Sequence, residues 1–252
     1  MQHTTVSEKR SGKNQITVGR ALSKLGVASR TLARQLVGAG RVAVNGTLVH
    51  SPDSWMDLRS DKLSLDGVLL RAKERVYYVM NKPRGVVTTR SDEIGRRTVY
   101  DLLPDHIPWV FPVGRLDKDT EGLLLFTNDT VLGEGITSPA AKVPKTYVVE
   151  LDRPLEERDQ EKMEAGLRLR DGTGLLPATV KRLEGSPPSV TMTIVEGKNR
   201  QIRKMCEHLG YEVRSLKRTS IGPVKLGNIA EGSVRLLTVG ERTALRQFLG
   251  RR

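Results

Sequence analysis

Gly114-Arg115-Leu116-Asp117-Lys118-Asp119-Thr120-Glu121-Gly122 runs into the apolar stretch Leu123-Leu124-Leu125-Phe126 and then Thr127-Asn128-Asp129. This reads as a polar turn feeding a buried strand. Asp117 therefore stands just before a rigid strand, with Arg115 two residues away. A carboxylate held in that way can act as an aimed nucleophile or acid/base. The plainer alternative is a turn aspartate paired with Arg115. A calcium loop is improbable. Asp117, Asp119, Glu121 and Gly122 match the start of an EF-hand loop, but its closing glutamate is replaced by Asn128 and its second half is apolar.

Further strands are expected on either side of this stretch, at residues 76–80, 146–151, 213–219 and 234–238. Val190, Met192 and Ile194 alternate with Thr191, Thr193 and Val195, the pattern of a half-buried strand. Residues 199–209 read as a helix with Ile202, Met205 and Leu209 inward, ended by Gly210. Residues 241–249 read as a closing helix. Strands outnumber helices and do not alternate with them regularly. That predicts an α+β domain over residues 76–252, built on a mixed, mainly antiparallel β-sheet with flanking helices, and not a doubly wound parallel sheet.

A smaller unit is expected over residues 16–70, after a polar basic arm (1–15, disordered) and before a charged linker (71–75). Thr17 can cap a helix with Ala21, Leu22 and Leu25 inward, and Ser29 a second with Leu32, Leu36 and Val37 inward. Asn45-Gly46 between two short apolar runs is a type I′ hairpin signal. Arg20 and Lys24 are four apart on the first helix, Arg30 and Arg34 on the second, so each pair shares a face. Arg41 follows, and up to Arg41 the only acid is Glu8. A wholly positive face opposite an apolar one is the footprint of a phosphate-tracking module. Gly38-Ala39-Gly40 mimics part of a dinucleotide fingerprint, but it follows a helix and precedes a strand, the reverse of the required order.

The chain has 252 residues and a formal net charge of +13, which favours a polyanionic partner such as nucleic acid. A single cysteine, Cys206, excludes an intrachain disulfide and fits a reducing compartment. There is no 18-residue apolar run, so a soluble, cytoplasmic protein is expected. His3, His50, His106 and His208 are scattered without cysteine partners at zinc spacing, which argues against a structural zinc.

Two more stretches carry candidate chemistry. Tyr147, in Lys145-Thr146-Tyr147, opens an apolar strand. It is either a sheet tyrosine or a flat ring for base stacking with a hydroxyl able to handle a proton. In Glu196-Gly197-Lys198-Asn199-Arg200-Gln201-Ile202-Arg203-Lys204-Met205 three cations crowd the start of a helix, against its macrodipole. An anion is expected there, either RNA phosphate or Asp117 itself.

Residues 16–70, with Arg20-Ala21-Leu22-Ser23, Gly26-Val27-Ala28-Ser29-Arg30 and Gly40-Arg41-Val42-Ala43-Val44-Asn45-Gly46, resemble the S4 RNA-binding domain. The Asp117 stretch, Lys82-Pro83-Arg84-Gly85-Val86, Asn199-Arg200-Gln201-Ile202-Arg203, and Ile221-Gly222 with Arg235-Leu236-Leu237 resemble the pseudouridine synthases that begin with an S4 domain and modify ribosomal RNA. The resemblance spans nearly all of residues 16–249; the arm before Ile16 is atypical.

The resemblance implies that Asp117 is the nucleophile that helps break the uridine C1′–N1 bond. Arg203 would hold it in a bidentate pair, Tyr147 would stack on the uracil and assist proton removal, and Leu216 would pack behind the base. Whether Asp117 attacks sugar or base is left open. No cofactor or metal is expected. Lys82, Arg84, Arg115, Arg200, Lys204, Lys217 and Arg218 are expected to join Arg20, Lys24, Arg30, Arg34 and Arg41 in contacting RNA. The target uridine must be flipped out of its stack. The chain is expected to work as a monomer on ribosomal RNA, with Asn199-Arg200-Gln201 closer to the large-subunit branch; small-subunit and transfer RNA stay as alternatives. Two other classes compete: a catalytically silent S4-type RNA-binding protein of ribosome assembly, and a nucleoside hydrolase. The hydrolase would need a second placed carboxylate, for which Asp119 and Glu121 are the nearest candidates.

Overall fold

The computed structural model describes residues 15–71 and 74–250. The expected basic arm, except Gln15, and residues 72–73 of the expected linker lie outside the described residues. The chain divides into two compact units after Arg75, with Asn128–Thr130 grouping with the first.

The first unit contains β1 (Gln15–Thr17), α1 (Val18–Lys24), α2 (Arg30–Gly38), β2 (Val42–Val44), β3 (Thr47–Leu48), β4 (Trp55–Asp57), β5 (Leu63–Leu65) and β6 (Val68–Leu69). Its helices start where their caps dictate. Thr17 Oγ1 accepts from Arg20 N at 3.4 Å and Ser29 Oγ from Leu32 N at 3.1 Å. Val18, Ala21, Leu22, Ala33, Leu36, Val37 and Val42 close its core, with Met56 and Leu63 from the strands. The β2–β3 hairpin turns at Asn45 and Gly46, both with positive φ (51° and 83°), as a type I′ turn requires. Asp66-Gly67 repeats the device between β5 and β6, with φ of 50° and 79°. Arg20, Lys24, Arg30 and Arg34 are exposed. Arg41 departs from expectation: its guanidinium grips the Asp66 carboxylate through Nη2 at 2.6 Å and Nε at 2.9 Å. It ties a hairpin turn to β2, and RNA would have to compete for it.

The second unit contains β7 (Tyr77–Lys82), β8 (Phe111–Pro112), β9 (Glu121–Thr127), α3 (Thr130–Thr137), β10 (Lys145–Leu151), α4 (Glu157–Ala165), β11 (Leu167–Arg168), β12 (Gly174–Leu175), β13 (Thr179–Leu183), β14 (Ser189–Ile194), α5 (Gln201–His208), β15 (Val213–Ile221), β16 (Val224–Lys225), β17 (Val234–Leu236) and α6 (Val239–Gly250). Among the described residues the main sheet runs β13-β14-β10-β15-β9-β7-β17, with β16 paired to β15 and β8 to β9. Every ladder in it is antiparallel except β9–β15, where Lys217 and Arg218 face Glu121 and Gly122. The fold is therefore α+β with a mixed, mainly antiparallel sheet.

Both faces of the middle strands are covered. Tyr78, Met80, Leu124 and Phe126 join one core cluster, while Tyr77, Val79, Leu123 and Leu125 join a second. Strands buried on both sides read as continuous apolar runs, which explains residues 123–126. Towards the edge, β14 keeps the alternation of its sequence, with Val190, Met192 and Ile194 inward.

Candidate active site

Three neighbouring strands carry the site. Tyr147 lies near the start of β10, Leu216 and Arg218 on β15, and Asp117 on the turn entering β9. Tyr147 pairs across the ladder with Arg218, and Leu216 with Val149. Asp117, Tyr147, Leu216 and Arg218 line one cavity of about 610 Å³, shared with Arg115, Lys145 and the residues leading into α5, among them Arg200. Tyr147 is only 8 % exposed and Leu216 is buried, so the cavity has a flat, partly apolar wall suited to a planar base.

The Asp117 turn is held through its backbone from both sides. Before it, Thr88 Oγ1 donates to Leu116 O at 2.7 Å and accepts from Leu116 N at 3.3 Å. After it, Gly85 N donates to Lys118 O at 2.8 Å, and Lys82 Nζ to Thr120 O at 2.8 Å. Arg203 Nη2 donates to Asp119 O at 2.9 Å, and the turn closes on itself through Thr120 N to Asp117 O at 3.0 Å. None of these bonds uses the Asp117 carboxylate. The backbone is thus fixed while the side chain stays available, as a preorganised reactive group requires.

Three expectations are corrected here. Arg203 does not form a bidentate pair with Asp117: its Nη1 donates to Val213 O at 3.1 Å and its Nη2 to Asp119 O, so it clamps backbone. Burial, followed by the nearby Arg200, pulls its pKa below the ordinary value. Lys82 cannot contact RNA. It is 0 % exposed and donates to the carbonyls of Pro83, Lys118 and Thr120. Arg218 is not a surface cation either. It is 3 % exposed, its Nε donates to Leu123 O at 2.7 Å, and its Nη2 has no hydrogen-bond partner among the described residues. Arg218 thus adds a buried guanidinium to the cavity lining, anchored through Nε, with its unpaired Nη2 shielded from solvent. Lys145, assigned no role from the sequence, lines the same cavity; burial first and Arg218 second lower its pKa.

Lys82 supports a stability prediction. Burial, partly offset by Asp119, Asp117 and Glu121, brings its pKa down from 10.5 to about 8. Lys82→Met fills the space but leaves carbonyls without their donor, at a cost of about 3 kcal/mol. Between about pH 8 and 10.5 the unfolded wild-type chain holds a proton there that the folded chain has lost. Wild-type stability therefore rises with pH relative to the variant over that window, and the gap is flat below it. Urea midpoints of both proteins at pH 7 and pH 9.5 check the sign; a gap that shrinks at the higher pH contradicts it.

The other expected RNA contacts differ in placement. Arg84, Arg115 and Arg200 are exposed, while Lys204 and Lys217 are half-buried. Arg200 sits at the N-cap of α5 with φ of 51°, a left-handed turn that lets the chain double back from β14 into the helix. Gln201 beside it is buried, and its Nε2 donates to Glu196 Oε1 at 2.7 Å, bracing that turn. Thr88 and Gly122 are structural contributors that the sequence reading passes over. Gly122, with φ of 100°, lies against the backbone of Arg218.

A family model described as RNA pseudouridylate synthase matches residues 76–208, and one described as S4 domain matches residues 20–54. An uncharacterized RNA pseudouridine synthase of Aquifex aeolicus is 35 % identical over 94 % of this chain and 96 % of its own. A protein of Bacillus subtilis named ribosomal large subunit pseudouridine synthase B is 36 % identical over 90 % of this chain and 94 % of its own. A crystal structure of a pseudouridylate synthase superposes with a TM-score of 0.67 at 31 % identity, covering 91 % of this chain and 99 % of that one.

Proposed function

The chain belongs to the RNA pseudouridylate synthase family, in the group that carries an S4 domain, and from that premise we propose that it isomerises one uridine of large-subunit ribosomal RNA with Asp117 as nucleophile. The observation that carries this reading is the convergence of Asp117, Tyr147, Leu216 and Arg218 on one cavity whose Asp-bearing turn is held through its backbone, without use of the Asp117 carboxylate. The name of the Bacillus subtilis relative supports the large-subunit assignment.

In this reading the uridine leaves its stack, at a cost of a few kcal/mol, and its base enters the cavity against Tyr147 and Leu216. Asp117 assists cleavage of the C1′–N1 bond. The freed uracil turns and re-forms a bond from C5 to C1′; the C5 proton leaves with help from the Tyr147 hydroxyl, and N1, which kept the bonding electrons on cleavage, takes up a proton. Substrate and product have the same atoms, so nothing is oxidised or reduced. Arg218 is the buried cation of the cavity lining in this reading. Lys82 and Arg203 position the turn.

Release of tritium from ribosomal RNA transcribed with 5-³H-uridine tests the reading, because the new C5–C1′ bond must expel the C5 hydrogen. Release from large-subunit RNA supports it. Release from small-subunit or transfer RNA alone would move the target, and binding without release from any RNA would favour a silent RNA-binding protein.

The first unit supplies RNA affinity in this reading. Changing Arg30 and Arg34 together to Ala should weaken binding and lower the slope of log affinity against log salt by up to about 2, one unit per lost phosphate contact. An unchanged slope would remove α2 from the RNA contact.

A further inference from the structure

We infer that Trp55 is a stacking platform for one unpaired base of the RNA, placed at the head of a row of phosphate-binding cations on α1. This rests on the RNA-modifying reading above and adds to it a base-contacting residue in the first unit.

The placement follows from register. β4 pairs antiparallel with β1, so that Thr17 stands directly opposite Trp55 and Ile16 opposite Met56. Directly paired side chains share a face of the ribbon. Met56 turns into the core at 2 % exposure, while Trp55 on the other face is 56 % exposed. Thr17 is the N-cap of α1, and residues 17, 20 and 24 fall on one face of the helix by their spacing of three and four. Strand register places Trp55 beside Thr17, and helical spacing places Arg20 and Lys24 on the face that Thr17 begins. Val18, Gly19, Ala21, Leu22 and Ser23 are all buried, so those cations are the exposed side of the helix.

Charge selects the partner. None of the described ion pairs involves Arg20 or Lys24. Two acids flank Trp55: Asp57 is turned to the local backbone, its Oδ1 accepting from Arg59 N at 2.8 Å, while Asp53 is exposed and in no described ion pair, so one carboxylate stands against two cations. An exposed indole beside unpaired cations is the combination that single-stranded RNA uses: the backbone follows the charges and a base lies on the ring. A protein partner seeking an apolar contact would leave two cations without a counter-charge.

The test uses the full-length protein and a ribosomal RNA fragment that the wild type converts. Trp55→Ala should raise Kd about tenfold without changing its salt slope, because stacking releases no counterions. Trp55→Phe should stay within about twofold of wild type, since a benzene ring still stacks. At saturating RNA all three should release tritium at the same rate. In Trp109→Phe, which leaves Trp55 as the sole tryptophan, RNA should quench the indole and shield it from acrylamide.

Equal affinity of Trp55→Ala and wild type overturns the inference while leaving the synthase reading intact. So does a loss of affinity with Trp55 still open to acrylamide in the complex, which would point to a structural role or a protein partner. A wild type that binds no RNA overturns both.

Discussion

Asp117→Asn reduces tritium release from labelled ribosomal RNA to background and leaves Kd for that RNA within about twofold of wild type. The amide has the shape of the carboxylate but not its charge or nucleophilicity. The bonds that fix the turn come from Thr88, Lys82, Gly85 and Arg203 and end on the backbone groups of Leu116, Lys118, Asp119 and Thr120. Replacing the carboxylate therefore removes chemistry without releasing the loop that carries it. Thermal unfolding should be unchanged within about 1 kcal/mol. A large loss of RNA affinity would mean that Asp117 organises the RNA site and would contradict its assignment as nucleophile.

The second large effect is expected at Gly122. Its φ of 100° lies where an L side chain is strained, and a Cβ there would come within 2.8 Å of Arg218 N and 3.0 Å of Arg218 C, and closer still to Arg218 O. The obstruction is backbone in the parallel β9–β15 ladder, so no side-chain rotation relieves it. Strain and overpacking together should cost about 4 kcal/mol in Gly122→Ala. That lowers the unfolding midpoint by about 10 °C for a unit of this size. Whatever still folds has β15 pushed away from the Asp117 turn, and activity should fall further than the folded fraction does. Gly38→Ala is the control: it ends α2 with nothing within 4 Å of an added Cβ and should leave the midpoint unchanged or slightly raised. Equal midpoints for the two variants would show that the ladder tolerates a side chain at Gly122.

The sequence is legible where local pattern and burial agree. Val190, Met192 and Ile194 are inward because β14 sees core on one face, and the caps at Thr17 and Ser29 act within three residues. It is silent where the decisive partner is distant. Nothing near Lys82 announces that the carbonyls of Lys118 and Thr120 come to meet it, and a lysine after an apolar strand reads as exposed by default. Arg203 and Arg218 both read as partners for a carboxylate, and only tertiary placement separates them: α5 sets Arg203 on the Val213 and Asp119 carbonyls, while the β10–β15 register sets Arg218 opposite Tyr147. α3 is hidden by Gly133 and Gly135. The first is needed because the Phe111 ring lies where a Cβ would go. α4 is hidden by its polarity, with only Asp159 and Met163 buried.

The parallel β9–β15 ladder also sets an order of events during synthesis. Gly122 leaves the ribosome almost a hundred residues before Arg218, its partner across that ladder. At synthesis rates of about 5–20 residues per second the wait is about 5–20 s. Throughout it the nascent chain already includes the finished Arg20–Lys24 and Arg30–Arg34 helices but has no closed cavity around Asp117. On the proposed assignment of RNA affinity to those helices, binding is acquired well before turnover, and a chain stalled or truncated before β15 is expected to compete for the substrate.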